Sequence, residues 1–139
     1  MIRYEISEMI AASPERIFPY LSEGDRYLLW MAVSAVEAVP PDRRGLGSRW
    51  RMETKEGAFV VEVTGFEQDR RVAFDTVEGP FDWKSDFRLD PQGDGLTKIT
   101  SSGEVTLRGA RRLLQPVAAA EIRRGEAAEL VKLKALAEA

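Results

Sequence analysis

Residues 82–107 read DWKSDFRLDPQGDGLTKITSSGEVTL, and this stretch decides the class of fold. From 82 to 89, Trp83, Ser85, Phe87 and Leu89 alternate with Asp82, Lys84, Asp86 and Arg88. A period of two places the first set on one face of a strand and the charges on the other. Pro91-Gln92-Gly93-Asp94-Gly95 is the strongest turn signal in the chain, because Pro presets φ and Gly tolerates positive φ. Over about 96–107, Ile99, Ser101, Gly103, Val105 and Leu107 again share one parity. The stretch is an antiparallel hairpin with one apolar face, and that face needs a cover.

Working back toward the N-terminus, the same pattern repeats. Val72, Phe74 and Thr76 share a face over 71–77, Phe59, Val61 and Val63 over 58–66, and Trp50, Met52 and Thr54 over 48–54. Gly79-Pro80, Gln68-Asp69-Arg70 and Lys55-Glu56-Gly57 connect them. Residues 32–39 are a further strand candidate, ended by Pro40-Pro41 and the loop PPDRRGLG. Residues 2–11 form the first strand, with Ile2, Tyr4, Ile6 and Ile10 on one parity. Between these, Ser13-Pro14-Glu15-Arg16 is a helix start: Ser13 caps, Pro14 sits in the first turn and Glu15 meets the positive helix end. Ile17, Phe18 and Leu21 make its buried stripe, Pro19 keeps it short, Gly24 breaks it, and 25–31 is a second short helix or helical turn.

Toward the C-terminus the period changes. Over about 109–137, Leu113, Val117, Ala120, Leu130, Leu133 and Leu136 form an apolar stripe with Leu114 and Ile122 beside it. Glu126, Glu129, Lys132, Lys134 and Glu138 mark the solvated side, and Pro116 and Gly125 predict a kink or a weakened turn. A helix of about 28 residues is about 42 Å long, enough to lie across the sheet as its cover. The expected fold class is α+β: a curved antiparallel sheet of about seven strands around a long C-terminal helix, with two short helices after the first strand.

The 139 residues fit a single domain, 1–139. With no Cys and no His, thiol nucleophiles, zinc fingers and a serine–histidine–acid triad are excluded. No metal site and no cofactor are expected, since neither an EF-hand loop nor paired carboxylates at helical spacing stand out. The 20 basic and 23 acidic residues argue against nucleic acid as a partner. No run of 18 apolar residues predicts membrane integration, and the opening MIRYEISEMIAAS lacks a signal-peptide core, so a cytoplasmic location is the default.

Local motifs add a family resemblance. Ile10-Ala11-Ala12-Ser13-Pro14-Glu15-Arg16-Ile17-Phe18 resembles the opening of the START-like, or Bet v 1-like, helix-grip superfamily (SRPBCC). Trp30, Gly45-x-Gly47, Glu62-Val63-Thr64 with Asp69-Arg70-Arg71-Val72-Ala73-Phe74, and Arg108-Gly109 with Leu113-Leu114-Gln115-Pro116 and Leu133-Lys134-Ala135-Leu136 are similar to small members. The resemblance is nearest to the bacterial polyketide cyclase/dehydrase and lipid-transport family, and it implies a helix-grip fold enclosing an apolar cavity.

On that reading the inward parity offers a ligand surface of Trp50, Met52, Phe59, Val61, Phe74, Trp83 and Phe87, faced by Leu113 and Val117 from the helix. Tyr27, Trp30 and Phe81 close one end, and Thr76, Ser85 and Ser101, with Thr54, supply hydroxyls. No inward carboxylate stands out, and Glu62, Asp86 and Glu104 take the outer parity. Asp42-Arg43-Arg44, Arg70-Arg71 and the trio Arg108, Arg111, Arg112 read as solvated charge or as weak anion hints. Three functions follow: binding of a small hydrophobic, aromatic or lipid-like ligand; a cyclase or dehydratase acting on a polyketide-like substrate; and a protein-interaction module, including a homodimer built on the helix.

Overall fold

The computed structural model describes residues 1–40 and 43–139. The expectation for Pro41 and Asp42 lies outside the described residues. One seven-stranded antiparallel sheet runs in the spatial order β1-β7-β6-β5-β4-β3-β2. Its strands are β1 (Ile2–Ile10), β2 (Ala35–Ala38), β3 (Arg49–Thr54), β4 (Gly57–Glu67), β5 (Arg71–Glu78), β6 (Asp82–Pro91) and β7 (Thr97–Thr106). From β3 on, each strand pairs with the next in sequence, and β1 closes onto β7. The 82–107 hairpin is confirmed in register, with Trp83 opposite Val105 and Phe87 opposite Ser101.

Helix α1 (Pro14–Ser22) starts as its sequence requires: Ser13 Oγ accepts the Arg16 backbone N–H at 3.3 Å. A 3-10 turn over Gly24–Leu29 follows. The register of β4 against β5 shifts between Val60 and Val61 and again between Val63 and Gly65. Such bulges bend a strand and raise its twist, which helps curl the sheet.

The C-terminal segment departs from expectation at its start. Gly109–Leu114 is a 3-10 turn, and helix α2 begins only at Gln115 and continues to Glu138. Pro116 therefore occupies the first turn, where its missing N–H interrupts no helical bond. The 24 residues of α2 span about 36 Å.

The interior has two unlike ends. At one, α1 and the second half of α2 fill the space: Ile10, Ile17, Leu21, Trp30, Leu130 and Leu133 are fully or almost fully buried together. At the other, a smaller cluster of Ile2, Tyr4, Phe59, Phe81, Val105 and Leu107 has apolar contact with the first half of α2 through Ala118, Ala119 and Ile122. That end is not filled.

Candidate functional site

Between the sheet and the first half of α2 lies a cavity of about 650 Å³. That is the size range of small-molecule pockets, about 300–1,000 Å³. Its sheet wall is Met52, Phe59, Val61, Phe74, Thr76, Trp83, Ser85 and Phe87, with Phe81 at one end and Val117, Ile122 and Gly125 opposite. Ten of the fifteen residues expected at a ligand surface thus meet around one space: Met52, Phe59, Val61, Phe74, Thr76, Phe81, Trp83, Ser85, Phe87 and Val117. Thr54 joins them. The Thr76 hydroxyl is already engaged, donating to the Trp83 carbonyl and accepting from its N–H.

Five expected residues do not line the cavity. Tyr27 is fully buried, its hydroxyl donates to the Leu21 carbonyl at 2.8 Å, and burial pushes its pKa up. Trp30 is fully buried edge-on to Phe87 and donates Nε1–H to the Tyr20 carbonyl. Trp50 packs edge-on to Tyr27 and against Gly24, where a Cβ would lie 2.3 Å from its ring. These three belong to the filled end. Ser101 is buried in β7. Leu113 is 85% exposed, because the 3-10 turn carrying it does not share the phase of α2.

The larger correction concerns charge. Glu126 and Glu129, assigned by their polarity to the solvated side of the helix, line the cavity instead. Glu126 is 5% exposed and Glu129 is half-buried. Hydrogen bonds from two sides position them. Trp83 Nε1–H donates to Tyr4 Oη at 2.9 Å, and Tyr4 O–H donates to Glu126 Oε1 at 3.0 Å. The Ala32 backbone N–H donates to Glu129 Oε2 at 2.6 Å. Gly103 makes the first link possible: a Cβ there would stand 2.4 Å from Tyr4 Oη.

Burial raises the pKa of Glu126, although hydrogen bonds from Glu129 and Tyr4 work the other way. Burial lifts Glu129 well above the usual carboxylate range, and the neighbouring Glu126 adds to it. Tyr4 is pushed up by burial first and by the Glu126 charge second. Glu126 Oε2 has no donor partner among the described residues. Two carboxyls this close resist ionising together, so the pair holds one proton to higher pH than a lone Glu does.

The acids on the outer parity are surface groups. Asp86 holds Arg71 through both carboxylate oxygens at 2.8–3.2 Å, and Glu62 pairs with Arg49. Arg108 pairs with Asp82, and the Arg111 guanidinium lies over the Phe81 ring at the cavity rim. Among the described residues no group of three ligating side chains is placed to hold a metal ion, and no helix is long and apolar enough to cross a membrane.

The chain belongs to the polyketide cyclase/dehydrase and lipid transport family, whose family model matches residues 1–138. An aromatase/cyclase from Streptomyces sp. R1128 shares its fold with a TM-score of 0.84 at 14% identity, over 98% of this chain and 93% of the other. A protein of Thermus thermophilus superposes with a TM-score of 0.82 at 18% identity, covering 97% and 96%. The Aha1 dimer from Colwellia psychrerythraea gives 0.75 at 18% identity, covering 99% and 97%. None of the curated proteins matches the sequence. These likenesses establish the START-like helix-grip architecture.

Proposed function

We propose that this chain binds a small apolar ligand in the cavity between the curved sheet and the first half of α2. The observation that carries the reading is the contrast within one interior. The α1 end is closed by fully buried side chains, whereas the other end keeps about 650 Å³ behind a wall of Phe, Trp, Met and Val. Apolar contact supplies affinity there, and a few polar groups fix orientation. An interaction-only module would need a collapsed interior, which an open cavity of this size does not favour.

A second reading, an acid–base enzyme of the cyclase or dehydratase type, draws support from the Glu126–Glu129 pair. A carboxyl whose pKa is raised by burial holds its proton to higher pH than a free one, which suits general acid chemistry. The aromatase/cyclase with the same fold lends it analogy only.

Native mass spectrometry of the protein purified from its own cell, beside a denatured control, tests the leading reading. A retained small molecule is expected, together with one-to-one binding of a neutral apolar fluorophore that Gly125→Leu weakens by filling the space. No retained mass, with fluorophore binding absent or indifferent to Gly125→Leu, would sink it.

A further inference from the structure

The ionisable groups of the cavity divide by depth. At the rim, Lys55, Glu56, Arg111 and Glu121 are exposed and balance in sign. Deeper, the ionisable lining residues are Glu126 and Glu129 alone. No cation among the described residues forms an ion pair with either carboxyl. Apart from the contact between the two carboxyls, Glu126 accepts one hydrogen bond, from Tyr4, and Glu129 one, from the Ala32 N–H, and the buried Glu126 Oε2 has no partner among the described residues. An acid held this way is costly unless something positive or protic reaches it.

The surrounding wall suits a cation. Phe59, Phe74, Phe81, Trp83 and Phe87 share the cavity with the pair, and aromatic faces attract positive charge. One of them already holds a cation, since the Arg111 guanidinium sits 5.8 Å from the Phe81 ring centre. The Trp83 indole is tied to the acids through the Tyr4 hydroxyl.

We infer that Glu126 and Glu129 form a cation-anchoring subsite, and that the ligand is an apolar molecule carrying one ammonium group. The inference rests on the cavity being a ligand site. The ammonium N–H groups supply the donor that Glu126 Oε2 lacks. The proton shared by the empty pair leaves as the ammonium enters, so the charge of the wall and its contents stays at minus one. A carboxylate ligand adds a second negative charge to the same wall and is refused. A neutral ketone needs the shared proton as its donor and so competes with the pair itself.

Titration calorimetry on the full chain separates these cases with three ten-carbon probes: decylammonium, methyl octyl ketone and decanoate. The measurements run at about pH 5.5 and about pH 8.5, both above the ordinary Glu value and below that of the amine, which stays charged. The other titratable or charged groups facing the pair are the neutral Tyr4 hydroxyl from β1, Lys132 on α2, and Lys55, Glu56, Arg111 and Glu121 at the rim. Glu126→Gln and Glu129→Gln keep all of them, so a difference from the unsubstituted chain belongs to the pair.

At the higher pH decylammonium is expected to bind at least about tenfold tighter than the ketone, with decanoate weakest. Its affinity rises with pH, and each Gln variant removes most of the preference. A ketone that binds as tightly as the ammonium, an ammonium affinity that falls as pH rises, or a preference unchanged in both variants would overturn the inference. If the ketone binds and the ammonium does not, the cavity reading stands and the anchor alone falls. If none of the three binds, the cavity reading falls and takes the anchor with it.

Discussion

Tyr4 is the residue on which the polar side of the cavity turns. Its ring spans from β1 to α2 because Gly103, opposite it in β7, has no side chain. Gly103→Ala would set a methyl 2.4 Å from Tyr4 Oη and 2.6 Å from the Lys84 carbonyl, and the second neighbour is backbone that cannot swing aside. Overpacking of this kind costs about 1–3 kcal/mol. Urea denaturation should show that loss, with a change in Trp emission as the Trp83–Tyr4 bond breaks. Tyr4→Phe keeps the ring and removes the hydroxyl, stranding Trp83 Nε1–H and Glu126 Oε1. A loss of about 1–3 kcal/mol is expected from unpartnered buried groups. Equal stability of Tyr4→Phe and the parent would show that water already serves these groups.

At the scale of elements, α2 works as two halves. Its second half anchors the fold, because Leu130, Leu133 and Ala137 are buried against the sheet and α1. Leu133→Ala should cost about 2–5 kcal/mol, as large-to-small changes in filled cores do. Leu113→Ala, in the exposed 3-10 turn, should change stability by less than about 0.5 kcal/mol. Gly125 lies in the helix where an added Cβ meets nothing, so Gly125→Ala should stabilise by about 1 kcal/mol through helix propensity alone. Thermal melts of the three variants check the division. The same helix shows where sequence reading ends. The inward line runs Ile122, Glu126, Leu130, Leu133, Ala137, with steps of four, four, three and four. Glu126 falls on that line, and the spacing alone points to it. Its charge hid it, because a carboxyl on a helix is ordinarily solvated. The phase of the first half was also carried through residues 109–114, where a 3-10 turn of three residues per turn does not preserve it.

For the whole molecule, strand patterning told which face each side chain takes but not the depth at which it lies. Phe59, Val61, Phe74 and Trp83 face inward, and so does Trp50, yet only the first group borders the cavity. What separates them is the docking of α1 and the first 3-10 turn at one end, a tertiary fact with no period in the sequence. The cavity has a global consequence that pH reveals. Glu126 and Glu129 have folded-state pKa values raised above their unfolded ones, chiefly by burial. The folded state therefore binds more protons than the unfolded state as pH rises past the ordinary carboxylate range. The pair's contribution to stability is full below the unfolded pKa and is lost as pH climbs through the raised values. Each unit of upward displacement costs about 1.4 kcal/mol once the group must ionise. Replacing both acids with Gln removes the ionisation, and the new amides can still bond to each other, to Tyr4 and to the Ala32 N–H. Denaturant unfolding measured across mildly acid to mildly alkaline pH should show the parent losing stability as pH rises. The double variant Glu126→Gln/Glu129→Gln should show a flatter profile and greater stability than the parent at the alkaline end. Parallel profiles for the two proteins would mean that the carboxyls ionise as freely in the folded chain as in the unfolded one, and that water rather than a shared proton occupies the wall between them.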